Sequence, residues 1–294
     1  MTKRKGFKHN IIAIVYDFDG TLTERPMQEY TVLPKIGMPA KRFWDKVKEE
    51  TKRIKGEEIV TYMRLMLKYA DQSDVTIKPV DFRKLAKKIK YYPGVEKFFD
   101  RIKRFVKTLS KDKIELRHYI ISAGLKEILR GIPFKGKFHN IFASEYHYDR
   151  YDHADFPKIV VNDTLKTQFL FRINKGKEKM HESINTHMPH IERAIPFRNM
   201  LYIGDGESDV PCMTVIKKEG GYAIAVYKKG SSKSIKKAKE LLLAERVDFI
   251  TRADYRKNSE LEKIIKIILR NTVEGINYRR EIFKQYKTYI ERGR

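Results

Sequence analysis

The chain has 294 residues, 41% of them hydrophobic, so it is long enough to bury a complete α/β core and a smaller additional domain. Its single cysteine, Cys212, excludes an internal disulfide framework and a cysteine-rich metal site. No apolar run approaches the ~18 residues of a membrane span, and we predict a cytoplasmic protein that does not bind membranes. The net charge of +25 attracts polyanions, although scattered basic residues are typical of a solvated surface.

The first predicted strand, Ile11–Tyr16, is followed directly by two carboxylates one residue apart, Asp17 and Asp19. In open α/β sheets, ligands bind at the carboxyl ends of the strands. A carboxylate there can attack phosphorus to form an acyl phosphate, and a second one can protonate the leaving oxygen. Gly20 lets the backbone turn after the pair.

Residues 24–92 show helical rather than strand patterning. Apolar residues recur at the three- and four-residue spacing of a buried helix face. They are Phe43, Val47, Ile54, Ile59, Tyr62, Met63, Met66, Leu67 and Ala70. The turn at residues 92–94 and a predicted helix over residues 95–105 then lead to the next strand.

A second apolar strand, residues 119–121, ends in Ser122, Ala123 and Gly124. A hydroxyl and two small residues at a strand end leave room for a phosphate. We predict a helix over residues 125–130, whose N-terminal amides would suit that phosphate.

A third strand, residues 200–203, ends in two acids four residues apart, Asp205 and Asp209. Oxygen-rich pairs of this kind are the ligands that Mg²⁺ favours. Two more strands, residues 223–226 and 247–250, and a helix over residues 258–285 complete the predicted elements.

The order of these strand ends resembles the haloacid dehalogenase superfamily of aspartate-nucleophile hydrolases, and within it the phosphoserine-phosphatase-like branch. Residues 17–21 match the first motif, Ser122 the second and residues 204–209 the fourth. The resemblance implies an α/β fold with a doubly wound, mostly parallel, Rossmann-like sheet and an inserted helical cap of the C1 type. The implied catalytic core comprises residues 1–24 and 93–294, and the implied cap residues 25–92.

The same resemblance implies a role for each matched residue. Asp17 is the nucleophile and a Mg²⁺ ligand, and Asp19 is the acid/base that also binds the metal through its backbone carbonyl. Asp205 is a further metal ligand, and Asp209 supports the metal or its waters. The phosphate is bound by Ser122, Ala123 and Gly124. An acid at position 19 favours a phosphatase, because dehalogenases of the superfamily lack it.

The third motif of the family is a lysine that neutralises the nucleophile and the phosphate. Lys166 lies in the first turn of a helix predicted over residues 165–173, and Lys175 lies at its end, before Gly176. Because the family lysine opens its helix, we choose Lys166 and keep Lys175 as the alternative. The long stretch over residues 176–197 departs from the family pattern.

The sequence therefore predicts a Mg²⁺-dependent phosphatase that hydrolyses a phosphomonoester of a small metabolite through an aspartyl phosphate. The two alternatives are a phosphatase acting on phosphorylated nucleic-acid ends and a non-enzymatic, polyanion-binding protein on the same fold. The substrate and the oligomeric state stay open, since the cap determines the substrate and no acid and base match those that hold phosphoserine.

Overall fold

A computed structural model describes residues 6–76 and 78–292. The strands are β1 Ile11–Tyr16, β2 Glu115–Leu125, β3 Asn140–Tyr148, β4 Ala154–Ile159, β5 Met200–Gly204, β6 Tyr222–Tyr227 and β7 Phe249–Arg252. The α-helices are α1 Met27–Tyr30, α2 Val32–Lys35, α3 Ala40–Ile54, α4 Glu58–Gln72, α5 Pro79–Leu85, α6 Val95–Ser110, α7 Lys126–Leu129, α8 Leu165–Lys175, α9 Val210–Lys218, α10 Ser232–Leu243 and α11 Glu260–Arg292.

The seven strands form one sheet in the order β4-β3-β2-β1-β5-β6-β7. Strand β1 lies at the centre, pairs in parallel with β2 and β5, and the chain winds outward from it in both directions. The β3–β4 pair is antiparallel, and all other pairs are parallel. The predicted doubly wound, mostly parallel α/β fold is confirmed.

Both faces of β1 are buried, which explains why its sequence is a continuous apolar run. Ile12, Ile14 and Tyr16 belong to a hydrophobic cluster with residues of α6 and α11. Ala13 and Val15 belong to a second cluster, on the other face, with residues of α8 and α9. The alternation of side chains along the strand thus sends successive residues into two different cores.

The helices α1 to α5 all lie between β1 and α6, where the sequence predicted a helical insertion. The two ends of this segment meet, because Thr23 and Tyr91 form an antiparallel bridge and the Tyr92 N–H donates to the Leu22 carbonyl at 3.0 Å. Its buried residues, among them Phe43, join the same hydrophobic cluster as one face of the sheet. The segment therefore leaves and rejoins the sheet at one point and packs directly against it.

The structure differs from the sequence prediction around the second strand. Strand β2 continues through Leu125, and the helix that follows, α7, has only four residues instead of the six predicted. The hairpin of β3 and β4 was not predicted, since both strands mix polar and charged residues among apolar ones. Pro157 lies within β4, where it is tolerated because β4 is an edge strand.

Helix α11 has 33 residues, which corresponds to roughly 50 Å at 1.5 Å per residue. Its first half packs on the sheet through buried residues that include Leu261, Ile265 and Ile276. From residue 284 to Tyr289 every side chain is exposed, so the end of the helix projects from the body of the protein. Among the residues that the structure describes, no helix is long and apolar enough to span a membrane.

Candidate active site

Asp17 lies at the carboxyl end of the central strand, and its N–H donates to the Ile203 carbonyl of β5 at 2.9 Å. The parallel pairing of β1 with β5 therefore brings the end of the first motif next to the start of the fourth. The Asp17 side chain is buried, with one oxygen, Oδ2, accepting a hydrogen bond from the Thr21 hydroxyl at 3.2 Å.

Lys166 forms an ion pair with this carboxylate. Its Nζ donates to Asp17 Oδ1 and to Asp209 Oδ1, each at 2.8 Å, and is almost completely buried. Burial disfavours the charge of Lys166, but Asp17 and Asp209 raise the pKa of its amine well above the ordinary value. The lysine is therefore a fixed positive charge between two carboxylates.

Local capping places Lys166 in the first turn of α8. Asn162 Oδ1 accepts hydrogen bonds from the Leu165 N–H at 2.9 Å and from the Thr164 hydroxyl at 3.2 Å, and these bonds fix the helix start. Lys175, the alternative, lies at the other end of α8, where its Nζ donates to the Thr186 carbonyl at 2.9 Å. The structure therefore brings Lys166 to Asp17 and uses Lys175 to hold the loop that follows the helix.

Both carboxylate oxygens of Asp209 accept hydrogen bonds from groups of the protein. Oδ1 accepts from the Tyr202 hydroxyl at 2.7 Å as well as from Lys166, and Oδ2 accepts from the Asp205 N–H at 3.1 Å. A Cβ at Gly204 would lie 2.2 Å from Asp209 Oδ2, so only glycine allows this approach. The carboxylate of Asp205, by contrast, accepts no hydrogen bond from any described residue and is partly exposed.

Asp17, Asp205 and Asp209 each present a carboxylate oxygen within 4.8 Å of the other two. The pKa of Asp17 is raised to about 6, because the effect of burial, together with the charge of Asp209, outweighs the opposing effect of Lys166. Burial and the charge of Asp17 raise the pKa of Asp205 well above its ordinary value. Crowded carboxylates whose charges are disfavoured in this way are suited to a cation. The cluster could hold a metal ion.

Asp19 faces the cleft in front of this cluster. Its Oδ1 accepts a hydrogen bond from the Met27 N–H at 2.7 Å. Burial and the nearby charge of Asp17 raise the pKa of Asp19 well above its ordinary value, although this hydrogen bond opposes the shift. The next residue, Gly20, has φ of 84°, and a Cβ there would lie 2.3 Å from Asp205 Oδ2. Glycine at this position keeps the two motifs in contact.

Ser122, Ala123 and Gly124 lie within β2 rather than after it. The pairing with β3 shifts between Ser122 and Leu125, so the strand bulges there. The Ser122 Oγ accepts from the Gly124 N–H at 3.0 Å and donates to no acceptor among the described residues. The bulge thus leaves a buried hydroxyl with a proton to donate.

The helical insertion touches this bulge through Tyr62 of α4. The Tyr62 hydroxyl donates to the Ala123 carbonyl at 2.8 Å, and the Ser144 hydroxyl donates to the same carbonyl at 3.1 Å. Beside this contact lies an open cleft of about 600 Å³, lined by Asp19, Pro26, Gln28, Glu29, Trp44, Lys48, Glu58, Ile59, Tyr62, Ala123, Gly124 and Lys233. The Trp44 indole N–H donates to Glu29 at 3.0 Å, which fixes the ring in the cleft wall.

Sequence reasoning missed Tyr202, Trp44 and Tyr62 as parts of this site. A hydroxyl in the apolar strand β5 is the one local signal for Tyr202. Tyr62 fits the spacing of a buried helix face, and no local pattern distinguishes Trp44, because the positions of both at the cleft depend on how the insertion folds back.

The sequence profile of haloacid dehalogenase-like hydrolases matches residues 14–214, which is more than half of the chain. The chain belongs to this family. A protein of Borreliella burgdorferi, named only as uncharacterized, is 30% identical over an alignment length of 281, and the match covers 86% of this chain and 95% of that protein. The family predicted from the motifs is thereby confirmed, and the protein is a hydrolase of this superfamily.

Solved structures show the same fold at low sequence identity. A phosphoserine phosphatase, solved as an analogue of its phospho-aspartyl intermediate, is 17% identical with a TM-score of 0.55, covering 88% of this chain and 99% of that chain. A haloacid dehalogenase family hydrolase from Salmonella enterica serovar Typhi is 15% identical with a TM-score of 0.54, covering 83% of this chain and 67% of that one. These likenesses concern the fold, and the chemistry of this chain is argued from its own residues.

Proposed function

We propose that this protein is a Mg²⁺-dependent phosphatase that hydrolyses a small phosphomonoester through an acyl phosphate formed on Asp17. The observation that carries the proposal is the Asp17 carboxylate, which lies at a strand end against the buried ammonium of Lys166 and beside a free Asp205 carboxylate. An anionic nucleophile can approach a phosphate dianion only if positive charge offsets their repulsion. Lys166 supplies one such charge permanently.

Each matched residue has a step in this mechanism. Asp17 attacks phosphorus, so a bond forms to its oxygen as the bond to the leaving oxygen breaks. Asp19 donates a proton to that leaving oxygen, and the burial of its carboxyl favours the protonated form that this step needs. In the second step Asp19 takes a proton from water, which attacks phosphorus and releases Asp17. Ser122 and Lys166 donate hydrogen bonds to the phosphate oxygens.

Mg²⁺ would be held by Asp17, Asp205 and the backbone carbonyl of Asp19. The donor set fits the ion, because carboxylate and carbonyl oxygens are the ligands that Mg²⁺ takes in proteins. Asp209 would support the metal site without binding the ion directly, since its oxygens accept hydrogen bonds from Lys166, Tyr202 and the Asp205 N–H. When bound, the ion would offset the charge of the phosphate and of the attacking carboxylate.

The helical segment over residues 25–92 serves as the cap in this proposal, and residues 1–24 and 93–294 form the catalytic core. The joined ends of the segment, at Thr23 and Tyr91, are the support for these boundaries. The cleft between cap and core would receive the leaving group. Its wall offers the fixed indole of Trp44, acids Glu29 and Glu58, and two lysines.

The mixed charge of the cleft favours a small metabolite over a polyanion. A groove that tracks a nucleic-acid backbone is lined by positive charge. Here Glu29 and Glu58 balance Lys48 and Lys233, and Asp19 adds a further carboxyl. The cleft thus suits a leaving group with polar and apolar parts that is small enough to fit beneath the cap.

Metal removal tests the proposed cofactor. We expect EDTA to abolish hydrolysis of a generic substrate such as para-nitrophenyl phosphate, and added Mg²⁺ to restore the initial rate. Ca²⁺ should fail to restore it, because its longer and more flexible coordination does not reproduce the octahedral Mg²⁺ geometry. An undiminished rate in excess EDTA would refute a metal-dependent mechanism.

Substrate size tests the proposed substrate class. We expect kcat/KM for a nucleoside monophosphate to equal or exceed that for an oligonucleotide carrying the same terminal phosphate, with little effect of salt. A nucleic-acid end phosphatase would prefer the oligonucleotide and lose affinity steeply with salt, because each phosphate contact releases counterions. A polyanion-binding protein without activity would hydrolyse neither compound at any Mg²⁺ concentration.

A further inference from the structure

A groove at the end of the sheet opposite the candidate active site is lined by positively charged and apolar side chains. Its volume is about 310 Å³, at the lower end of the ~300–1,000 Å³ typical of small-ligand sites. Lys8, Arg198 and Arg279 contribute the charge, and Ile282 and Tyr286 of α11 form an apolar wall. No acidic side chain of the described residues lines it.

The groove is separate from the candidate active site. Lys8 precedes β1 and Arg198 precedes β5, whereas Asp17 and Asp205 follow these same two strands. Strand β1 has six residues, and a strand of that length separates its two ends by roughly 20 Å at ~3.3 Å per residue. A ligand in the groove is therefore too far away to contact the carboxylate cluster.

The positive charges of the groove have no counter-charge within the described part of the chain. No ion pair there joins Lys8, Arg198 or Arg279 to an acid. Arg279 Nη2 donates to Asn199 Oδ1 at 3.0 Å, but its Nε is buried without a hydrogen-bond partner. His9 is only 7% exposed, and its Nε2 also has no partner. A buried donor left unpaired is costly, and an anion in the groove would satisfy the Arg279 Nε–H.

Burial and neighbouring positive charges both act on the basic groups of the groove. Burial lowers the pKa of His9, and the charges of Arg198 and Arg279 lower it further, although backbone groups of His190 and Arg193 oppose the shift. Burial, followed by the charge of Arg198, also lowers the pKa of Arg279. All three side chains line the same groove, so one anion bound there would lie near each of them.

An aromatic surface adjoins the positive groups. Tyr286 is 62% exposed and lines the groove, while Phe283, one helical step away, packs against Phe7 with ring centroids 5.9 Å apart. The exposed side chains of Tyr278, Ile282 and Tyr289 continue the same face of α11. Exposed aromatic rings beside arginines are the elements with which proteins stack bases and neutralise phosphates.

We propose that this groove binds a nucleotide, with its phosphate against Arg198 and Arg279 and its base against Tyr286. A nucleotide combines a charge that the unpaired arginines neutralise with a flat ring that the apolar wall accommodates. Inorganic phosphate alone would leave that wall uncovered. The nucleotide can be free or part of a single strand, since both present the same phosphate and base.

Calorimetric titration in EDTA tests the proposal without turnover. The probes are adenosine monophosphate, a short oligoadenylate and inorganic phosphate. We expect Arg198→Gln to weaken adenosine monophosphate binding about tenfold to a hundredfold, the range for losing a hydrogen bond to a charged group. Tyr286→Ala should weaken the binding of adenosine monophosphate but leave the binding of inorganic phosphate unchanged. Both side chains are exposed, so neither variant disturbs the core.

Arg104→Gln is the matched control, because it removes an equal charge from α6, outside the groove. If the oligoadenylate binds more tightly than adenosine monophosphate and this binding is lost in Arg198→Gln, the proposal is supported and the ligand is a single strand. If the two compounds bind with equal affinity, the ligand is the free nucleotide. An absence of binding, or equal losses in Arg104→Gln and Arg198→Gln, would overturn it. Hydrolysis of para-nitrophenyl phosphate in Mg²⁺ should be unchanged in Arg198→Gln, so failure here is distinguishable from failure of the proposed phosphatase activity.

Discussion

Asp17→Asn is expected to abolish phosphatase turnover while leaving the protein folded. The amide has nearly the same shape as the carboxylate but does not attack phosphorus, and losing a covalent nucleophile lowers kcat by roughly a millionfold in other hydrolases. The substitution also removes one of three crowded acids, so the folded state should not lose stability through unpaired charge. Initial rates with para-nitrophenyl phosphate and a thermal unfolding curve provide the two measurements.

The covalent intermediate gives this prediction a second readout. Brief incubation with a phosphate-labelled substrate followed by acid quenching should label the wild-type protein, and hydroxylamine, which cleaves acyl phosphates, should release the label. Asp19→Asn should still be labelled but turn over roughly 100- to 10,000-fold more slowly, because only the proton transfer is impaired. Asp45→Asn, on the exposed face of α3, is the matched control and should behave as wild type. Full activity in Asp17→Asn would end the proposed mechanism.

The parts of the fold and site that sequence predicts are those written in consecutive residues. The apolar run Ile11–Tyr16 predicts a strand buried on both faces, because such a strand has apolar residues throughout. Asp17 and Asp19 follow it directly, so the sequence also predicts two carboxylates at its carboxyl end. The family resemblance implied that Asp205 shares a site with Asp17, and in the structure this depends on the pairing of β1 with β5, two strands that are distant in the chain.

Other features depend on contacts between distant residues. The β3–β4 hairpin escapes prediction because its edge position admits charged residues and Pro157, which local patterns count against a strand. Tyr62 reaches the Ala123 carbonyl only after the insertion folds back, and Arg198 and Arg279 come to line one groove only when α11 packs against the sheet. No pattern along the chain contains these pairs.

Substitution of the two lysines of α8, Lys166 and Lys175, tests whether a positive charge beside Asp17 is needed for the reaction. Lys166→Met keeps the volume of the side chain but leaves Asp17 and Asp209 buried and facing each other without a cation. Removing one partner of a buried ion pair costs about 3–5 kcal/mol. If the transition state loses ~4 kcal/mol of stabilisation, kcat/KM falls by roughly a thousandfold, since each ~1.36 kcal/mol is tenfold.

Lys175→Met is the matched control, because it removes the same charge from the same helix. Among the residues that the structure describes, its Nζ bonds only to the backbone of the following loop, so we expect near-normal kcat/KM and a smaller change in thermal stability. Unfolding temperatures measured in EDTA and in Mg²⁺ separate the two roles further. In Lys166→Met the loss of stability should shrink when Mg²⁺ is added, since a second cation at the cluster offsets the uncompensated carboxylates, whereas the small loss in Lys175→Met should not respond. Equal kcat/KM in the two variants would show that the contact between Lys166 and Asp17 contributes nothing to the reaction.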